Sequence, residues 1–232
     1  SEIVLSGSEF DVEDLIVEED MVITVSHAGY IKRIPVATYR QQHRGGRGVT
    51  GMSTKDEDFV EHLFIASTHH FILFMTGRGR CHWLKVHEIP QGTRTSRGRP
   101  AVNLIDIGSG HKISAIVPVK EFDKDHFLML VTRKGLVKKT ALSAYSRPRR
   151  GGIIAMHVLE EDQLIGAALT DGKREVIMGT QKGLAIRFSE GDVRDTGRGS
   201  QGVRGISLAS EDSVIGMVVS GEGEGSLLTV CA

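Results

Sequence analysis

The sequence has little cysteine: Cys81 and Cys231 are the two it contains, 150 positions apart in 232 residues. That excludes a disulfide framework and the paired spacing of a zinc site, and it suits a reducing compartment. No run of 18 apolar residues occurs, so no membrane-spanning helix is expected. The opening "SEIVLSGSEFDVEDL" has neither the basic nor the apolar region of a signal peptide, which leads us to expect a cytoplasmic protein. Also lacking are G-x-S-x-G, H-E-x-x-H, a Walker pattern and a G-x-G-x-x-G that opens a helix, so no catalytic centre is expected. His62, His69, His70, His82 and His87 are crowded in sequence but follow no ligand spacing, and no metal is expected.

Charge is present in equal amounts and unequally placed. Lys and Arg total 29, as do Asp and Glu, yet residues 1–20 hold eight acids (Glu2, Glu9, Asp11, Glu13, Asp14, Glu18, Glu19 and Asp20) and no Lys or Arg. Residues 21–232 are therefore left with a net charge of +8. Residues 1–20 read as an acidic linker or arm, either merely solubilising or touching a basic surface of the body over 21–232.

That body repeats. "VITVSHAG", "ILFMTGRG", "LMLVTRKG" and "VIMGTQKG" align, with closing glycines Gly29, Gly79, Gly135 and Gly183 spaced by 50, 56 and 48 residues. An apolar run, a glycine and a second strand-like segment predict a β-hairpin turning on positive φ. Sixteen to nineteen residues further comes another glycine in a basic setting: "HRGGRG", "TSRGRP", "RPRRGG" and "GRGSQG". A third strand ("AVNLIDI", "IIAMHVL", "VRGISLA") and a fourth ("HLFIAS", "ISAIVP", "LIGAAL", "VIGMVV") are expected in each unit. Four strands at a period near 50 residues predict an all-β, propeller-like ring, because one such sheet covers its faces only by stacking on neighbours. Leu227–Val230 reads as the first strand of a fifth unit.

The bases recur in register. Offsets +3 and +4 from the hairpin glycine hold Lys32 and Arg33, His82 and Trp83, Lys138 and Lys139, and Ile186 and Arg187; Arg80 and Lys85 belong to the same segment of the second unit. The second cluster supplies Arg44 and Arg47, then Arg94, Arg97 and Arg99, then Arg147, Arg149 and Arg150, then Arg194, Arg198 and Arg204. Cations at one level around a disc would form a track for a polyanion, and glycines among them would let backbone amides approach phosphate. Sequence-independent binding of double-stranded DNA is one reading; a propeller used as a protein-interaction platform, its basic band meeting acidic partners, is the other.

"QHRGGRG", Gln42–Gly48, resembles the seven-residue box Q-R-R-G-G-[KR]-G of the C-terminal domain of bacterial gyrase A subunits, and "EDLIVEEDMVITVSHAGYIKRIP", "GRPAVNLIDI", "GLVKKTALSAYSR" and "QGVRGISL" resemble its blades in order. The resemblance implies a β-pinwheel whose neighbouring blades exchange strands, with DNA wrapped on the outer rim so that an ATP-driven A2B2 holoenzyme introduces negative supercoils. It implies that Gln42, His43, Arg44, Gly45, Gly46, Arg47 and Gly48 form the wrap-closing element. It also implies that the cleavage tyrosine, ATP and Mg2+ act elsewhere in the holoenzyme, that this segment carries no cofactor, and that in isolation it is monomeric. Topoisomerase IV has a related domain, usually with a degenerate box; the well-preserved box here favours gyrase. His43 stands where the family usually has Arg and is mostly neutral at pH 7. The chain supplies four units and a strand where the family has five or six blades.

Overall fold

The computed structural model describes residues 12–39, 58–108 and 111–220, so the box Gln42–Gly48 and the strand expected over Leu227–Val230 lie outside the described residues. The chain divides into two compact units, Ser1–Phe71 with Leu84–Leu104, and Ile72–Trp83 with Ile105–Ala232. The described strands are β1 (Asp20–Ser26), β2 (Tyr30–Pro35), β3 (Val60–Ser67), β4 (Phe71–Thr76), β5 (Arg80–Lys85), β6 (Arg99–Pro100), β7 (Ile113–Val119), β8 (Phe127–Thr132), β9 (Leu136–Ala141), β10 (Ile153–Ile154), β11 (Leu164–Thr170), β12 (Glu175–Thr180), β13 (Ala185–Ser189), β14 (Val203–Arg204) and β15 (Val214–Val219). Beyond these, the regular elements are short 3-10 turns, and none of the described helices is long and apolar enough to cross a membrane.

Each repeat begins with the expected hairpin. In the first, β1 and β2 run antiparallel from Met21 against Pro35 to Val25 against Ile31. The turn is built on a hydroxyl three residues before the glycine: Gly29 N–H donates to Ser26 O at 2.8 Å, and Tyr30 N–H donates to Ser26 Oγ at 3.2 Å. Thr76, Thr132 and Thr180 do the same for Gly79, Gly135 and Gly183, and all four glycines have φ between +77° and +86°. These hydroxyls are buried, so each replaces water as the acceptor for an amide that the turn would otherwise strand.

The central strands β1, β4 and β8 are covered on both faces, as their continuous apolar runs predict. In the second unit, Met129, Val131 and Val137 of the third repeat form one core cluster with Val176, Met178 and Val214 of the fourth. The fourth expected strand of each repeat returns to pair with the first: β3 with β1, β11 with β8, and β15 with β12.

The expected third strand is corrected in length and, in the second repeat, in position: β10 and β14 hold two of the seven residues expected, whereas β6 precedes "AVNLIDI", whose Ala101–Asn103 forms a 3-10 turn. Each short strand joins the sheet of the preceding repeat, the exchange that the resemblance implies. The sheet orders are β3-β1-β2-β6, β10-β5-β4-β7 and β11-β8-β9-β14, with a fourth sheet β13-β12-β15. Three times, then, a repeat gives the outermost strand to its predecessor. The register is the same each time: Pro100, Ile154 and Arg204 face the residue after the hairpin glycine, and Arg99, Ile153 and Val203 face the next one.

Candidate nucleic-acid interface

The exchanged strand explains the second glycine. Gly98, Gly152 and Gly202 each precede a donated strand, with φ of +87°, +74° and +93°. A Cβ on Gly98 would lie 2.5 Å from Ile31 O, and one on Gly202 would lie 2.5 Å from Val137 O. Gly98 and Gly202 are required where a loop lies against the neighbouring hairpin's backbone, and Gly152 where it lies against the His82 ring, a closer need than approach to a phosphate.

The lysines below those loops point inward. Lys32 is fully buried and donates from Nζ to the carbonyls of Thr93, Arg94 and Ser96 at 2.8, 3.1 and 2.7 Å. Lys138 donates to Ala155 O and Arg198 O, and Lys139 to Glu190 O at 2.8 Å. Burial lowers the Lys32 pKa, while burial and the nearby Arg198 charge bring Lys138 down to about 8. Arg33 is partly buried and spends Nε on Ile89 O and a terminal nitrogen on His87 O. The expectation that Lys32, Arg33, Lys138 and Lys139 face outward is therefore corrected. Their charge is consumed in fastening the loops of the same and the following repeat.

The outward charge sits on the loops themselves. Arg94, Arg99, Arg147, Arg149, Arg150 and Arg204 are exposed, and none makes an ion pair among the described residues. Arg80 and Arg198 are half-buried and fixed by carbonyls: Arg80 donates to Gly151 O and Gly152 O, and Arg198 to Ile154 O at 3.0 Å. With Arg149 these two line an open groove of about 470 Å³, floored by Gly152, Ile153, Ile154 and Gly199. Loops of the third and fourth repeats thus meet over the second hairpin, and three guanidiniums face one hollow large enough for a phosphate group. Arg97 lies 3.6 Å over the Tyr30 ring. Arg187 is exposed and pairs with Glu175 at 3.1 Å.

Lys85 is engaged from the acidic side. It pairs with Glu13 and lies 4.0 Å over the Phe71 ring. The segment that carries Glu13 is tied to the first unit by Thr68, whose hydroxyl donates to Val17 O and accepts from Glu19 N–H, and by His69 Nε2 at 2.8 Å from Ile16 O. The crowded histidines are dispersed, and no group of three or more His, Cys, Asp or Glu converges among the described residues.

Two repeated features escaped the sequence reading. Asp58, Asp162 and Asp212 each cap a hairpin turn, accepting from the N–H of Ala28, Lys134 and Lys182 at 2.9, 2.9 and 3.0 Å. Their signal is a shared Glu-Asp ahead of the returning strand: "EDFV", "EDQL" and "EDSV". The turn tips Arg78, Lys134 and Lys182 are basic as well, but Arg78 donates to Leu159 O and Glu160 O, Lys134 pairs with Glu161, and Lys182 donates to Ser210 O.

Comparison with known proteins follows the same fourfold division. The family described as DNA gyrase C-terminal domain, beta-propeller, matches residues 20–67, 70–120, 126–171 and 174–220. The DNA gyrase A subunit of Halalkalibacterium halodurans is 50% identical over 205 residues, covering 88% of this chain and 25% of that protein. The DNA gyrase A subunit of Salmonella typhimurium is 44% identical over 230 residues, covering 99% and 26%. The chain spans about a quarter of the length of these relatives. Among solved structures, the C-terminal domain of DNA topoisomerase IV matches with a TM-score of 0.75 at 27% identity, over 89% of this chain and 63% of that one. The DNA gyrase A C-terminal domain matches with a TM-score of 0.67 at 25% identity, over 87% and 65%. With four matched repeats accounting for most of its length, the chain belongs to the DNA gyrase C-terminal domain, beta-propeller family.

Proposed function

We propose that this chain binds double-stranded DNA through phosphates, without reading sequence, and that it is the part of a gyrase A subunit that bends and wraps DNA. The observation that carries this reading is the set of exposed arginines on or beside the exchanged loops of each unit, free of acidic partners among the described residues while Lys32 and Lys138 donate to loop carbonyls. Guanidiniums suit phosphate because their planar fork gives two parallel donors. Bending a short duplex by 40 to 90° costs on the order of 1 to 6 kcal/mol, so several such contacts must act together. The box residues Gln42, Arg44, Gly45, Gly46, Arg47 and Gly48, with His43 among them, close the wrap. The chain works within an A2B2 gyrase of the bacterial cytoplasm, beside the remainder of its own polypeptide and the gyrase B partner. Cleavage, ATP and Mg2+ belong to other parts of that enzyme, and the wrap gives its strand passage the negative sign.

Nicking a circular plasmid, adding the chain, religating and reading the linking number tests this. A shift of one consistent sign is expected. Absence of DNA binding at low salt overturns the reading in favour of a protein-interaction platform, whereas binding without a shift overturns wrapping alone.

A further inference from the structure

Three residues after the hairpin glycine stand Lys32, His82 and Lys138 in the first three repeats. Each side chain is buried, with 0%, 4% and 1% of its residue exposed, beneath the loop that donates the outer strand. Lys32 gives that loop three hydrogen bonds, and Lys138 gives its loop one, at Arg198 O, with a second to Ala155 O just after β10. His82 gives it none from Nε2, which is buried without a hydrogen-bond partner. Its ring is instead pressed against the loop backbone, so that a Cβ on Gly152 would lie 2.6 Å from both Cε1 and Nε2. One loop of the three is therefore closed by contact with a ring where the other two are closed by a bonded cation.

We propose that His82 is a proton-operated latch: the neutral imidazole lets the loop Arg147–Gly152 and strand β10 close over β5, and its protonation releases them while the loops over Lys32 and Lys138 stay shut. An imidazolium has two donors and a full charge, and in this place it finds no acceptor for Nε2 and little water. The charges facing it are mostly of its own sign. Arg80 on β5 is bonded to the same loop and His111 lies ahead of β7, with Asp106 the acid set against them; Arg147, Arg149 and Arg150 of the covering loop are exposed to solvent. Burial first, then Arg80 and His111, hold the imidazole below its ordinary value of 6.5, and Asp106 opposes them incompletely. In the released loop the ring would titrate near about 6.5. The open form then binds more protons than the closed one, so opening grows as pH falls below that value, approaching about tenfold per pH unit until the closed form titrates too. This inference rests on the packing of β10 and is independent of what the arginines bind.

Amide hydrogen exchange of the 232-residue chain tests it. Ala155 and Met156 donate their N–H groups to Gly79 O under the His82 loop, and Gly205 and Ile206 donate theirs to Gly135 O beside the Lys138 loop. With intrinsic rates divided out, going from about pH 7.5 to about pH 5.5 should lower the protection of the first pair about tenfold relative to the second. H82Q, uncharged at both values, should remove the difference. The titration of the His82 ring followed by NMR needs no variant and should fall below about 6.5. A loss of protection shared equally by both pairs, its persistence in H82Q, or an imidazole titrating at or above about 6.5 overturns the latch.

Discussion

A lysine in a β-strand covered on both sides must have every ammonium hydrogen satisfied, or its desolvation goes uncompensated. Lys32 meets that condition with three loop carbonyls and Lys138 places two of its three hydrogens on Ala155 O and Arg198 O, which separates two kinds of cation that look alike in sequence. Lys138→Met strands the carbonyls of Ala155 and Arg198 and should lower stability by about 1–3 kcal/mol in urea unfolding, with the salt dependence of DNA binding unchanged. Arg149→Ala should behave in the opposite way. It leaves urea unfolding within about 0.5 kcal/mol and reduces the slope of log affinity against log salt by about 0.9. Gly202→Ala places a methyl 2.5 Å from Val137 O at a φ of +93°, and should cost about 1–3 kcal/mol, read as a fall in the unfolding midpoint.

At the scale of the element, the hairpin is the unit most legible in the sequence, because a glycine at positive φ and a long apolar run are both local requirements. The hydroxyls of Ser26, Thr76, Thr132 and Thr180 are also written there, three residues before an already recognised glycine, and the Glu-Asp pairs recur just ahead of the returning strand. The local pattern does not carry the destination of a two-residue strand, which only the resemblance implies. Arg99–Pro100 has no periodicity of its own, and its partner is fixed by tertiary contact alone. The inward course of Lys32 was hidden for a related reason: a long basic side chain normally marks solvent, and only the loop of the following repeat supplies its acceptors. The Asp turn caps have a pH signature. Burial pushes the Asp58 and Asp212 carboxyls up, but the N–H groups of Ala28 and Phe59, and of Lys182 and Ser213, prevail and hold both below the usual carboxylate value. The stability they add is complete above about pH 3.9 and is lost as pH falls through their lower folded values. Acid titration of the Asp58→Asn, Asp212→Asn double variant should show a shallower decline in that window than the parent.

At the scale of the whole molecule, the acidic start and the basic remainder act on one another. The formal charge of the chain is zero, and removal of residues 1–19 takes away seven acids, leaving +7. The shortened chain should bind DNA several-fold more tightly at low salt, with the difference fading as the Debye length shrinks toward about 3 Å near 1 M salt, as a titration at several ionic strengths would read. It also frees Lys85 from Glu13 and should make the first unit somewhat easier to unfold. The exchange of outer strands carries a further consequence for how such a chain comes into being. Because β2, β5 and β9 each wait for a strand encoded one repeat later, a polypeptide leaving the ribosome holds its newest sheet unfinished until the next loop has emerged. Maturation must trail translation by a fixed stretch of chain, and a pause in synthesis would expose one bare sheet border at a time.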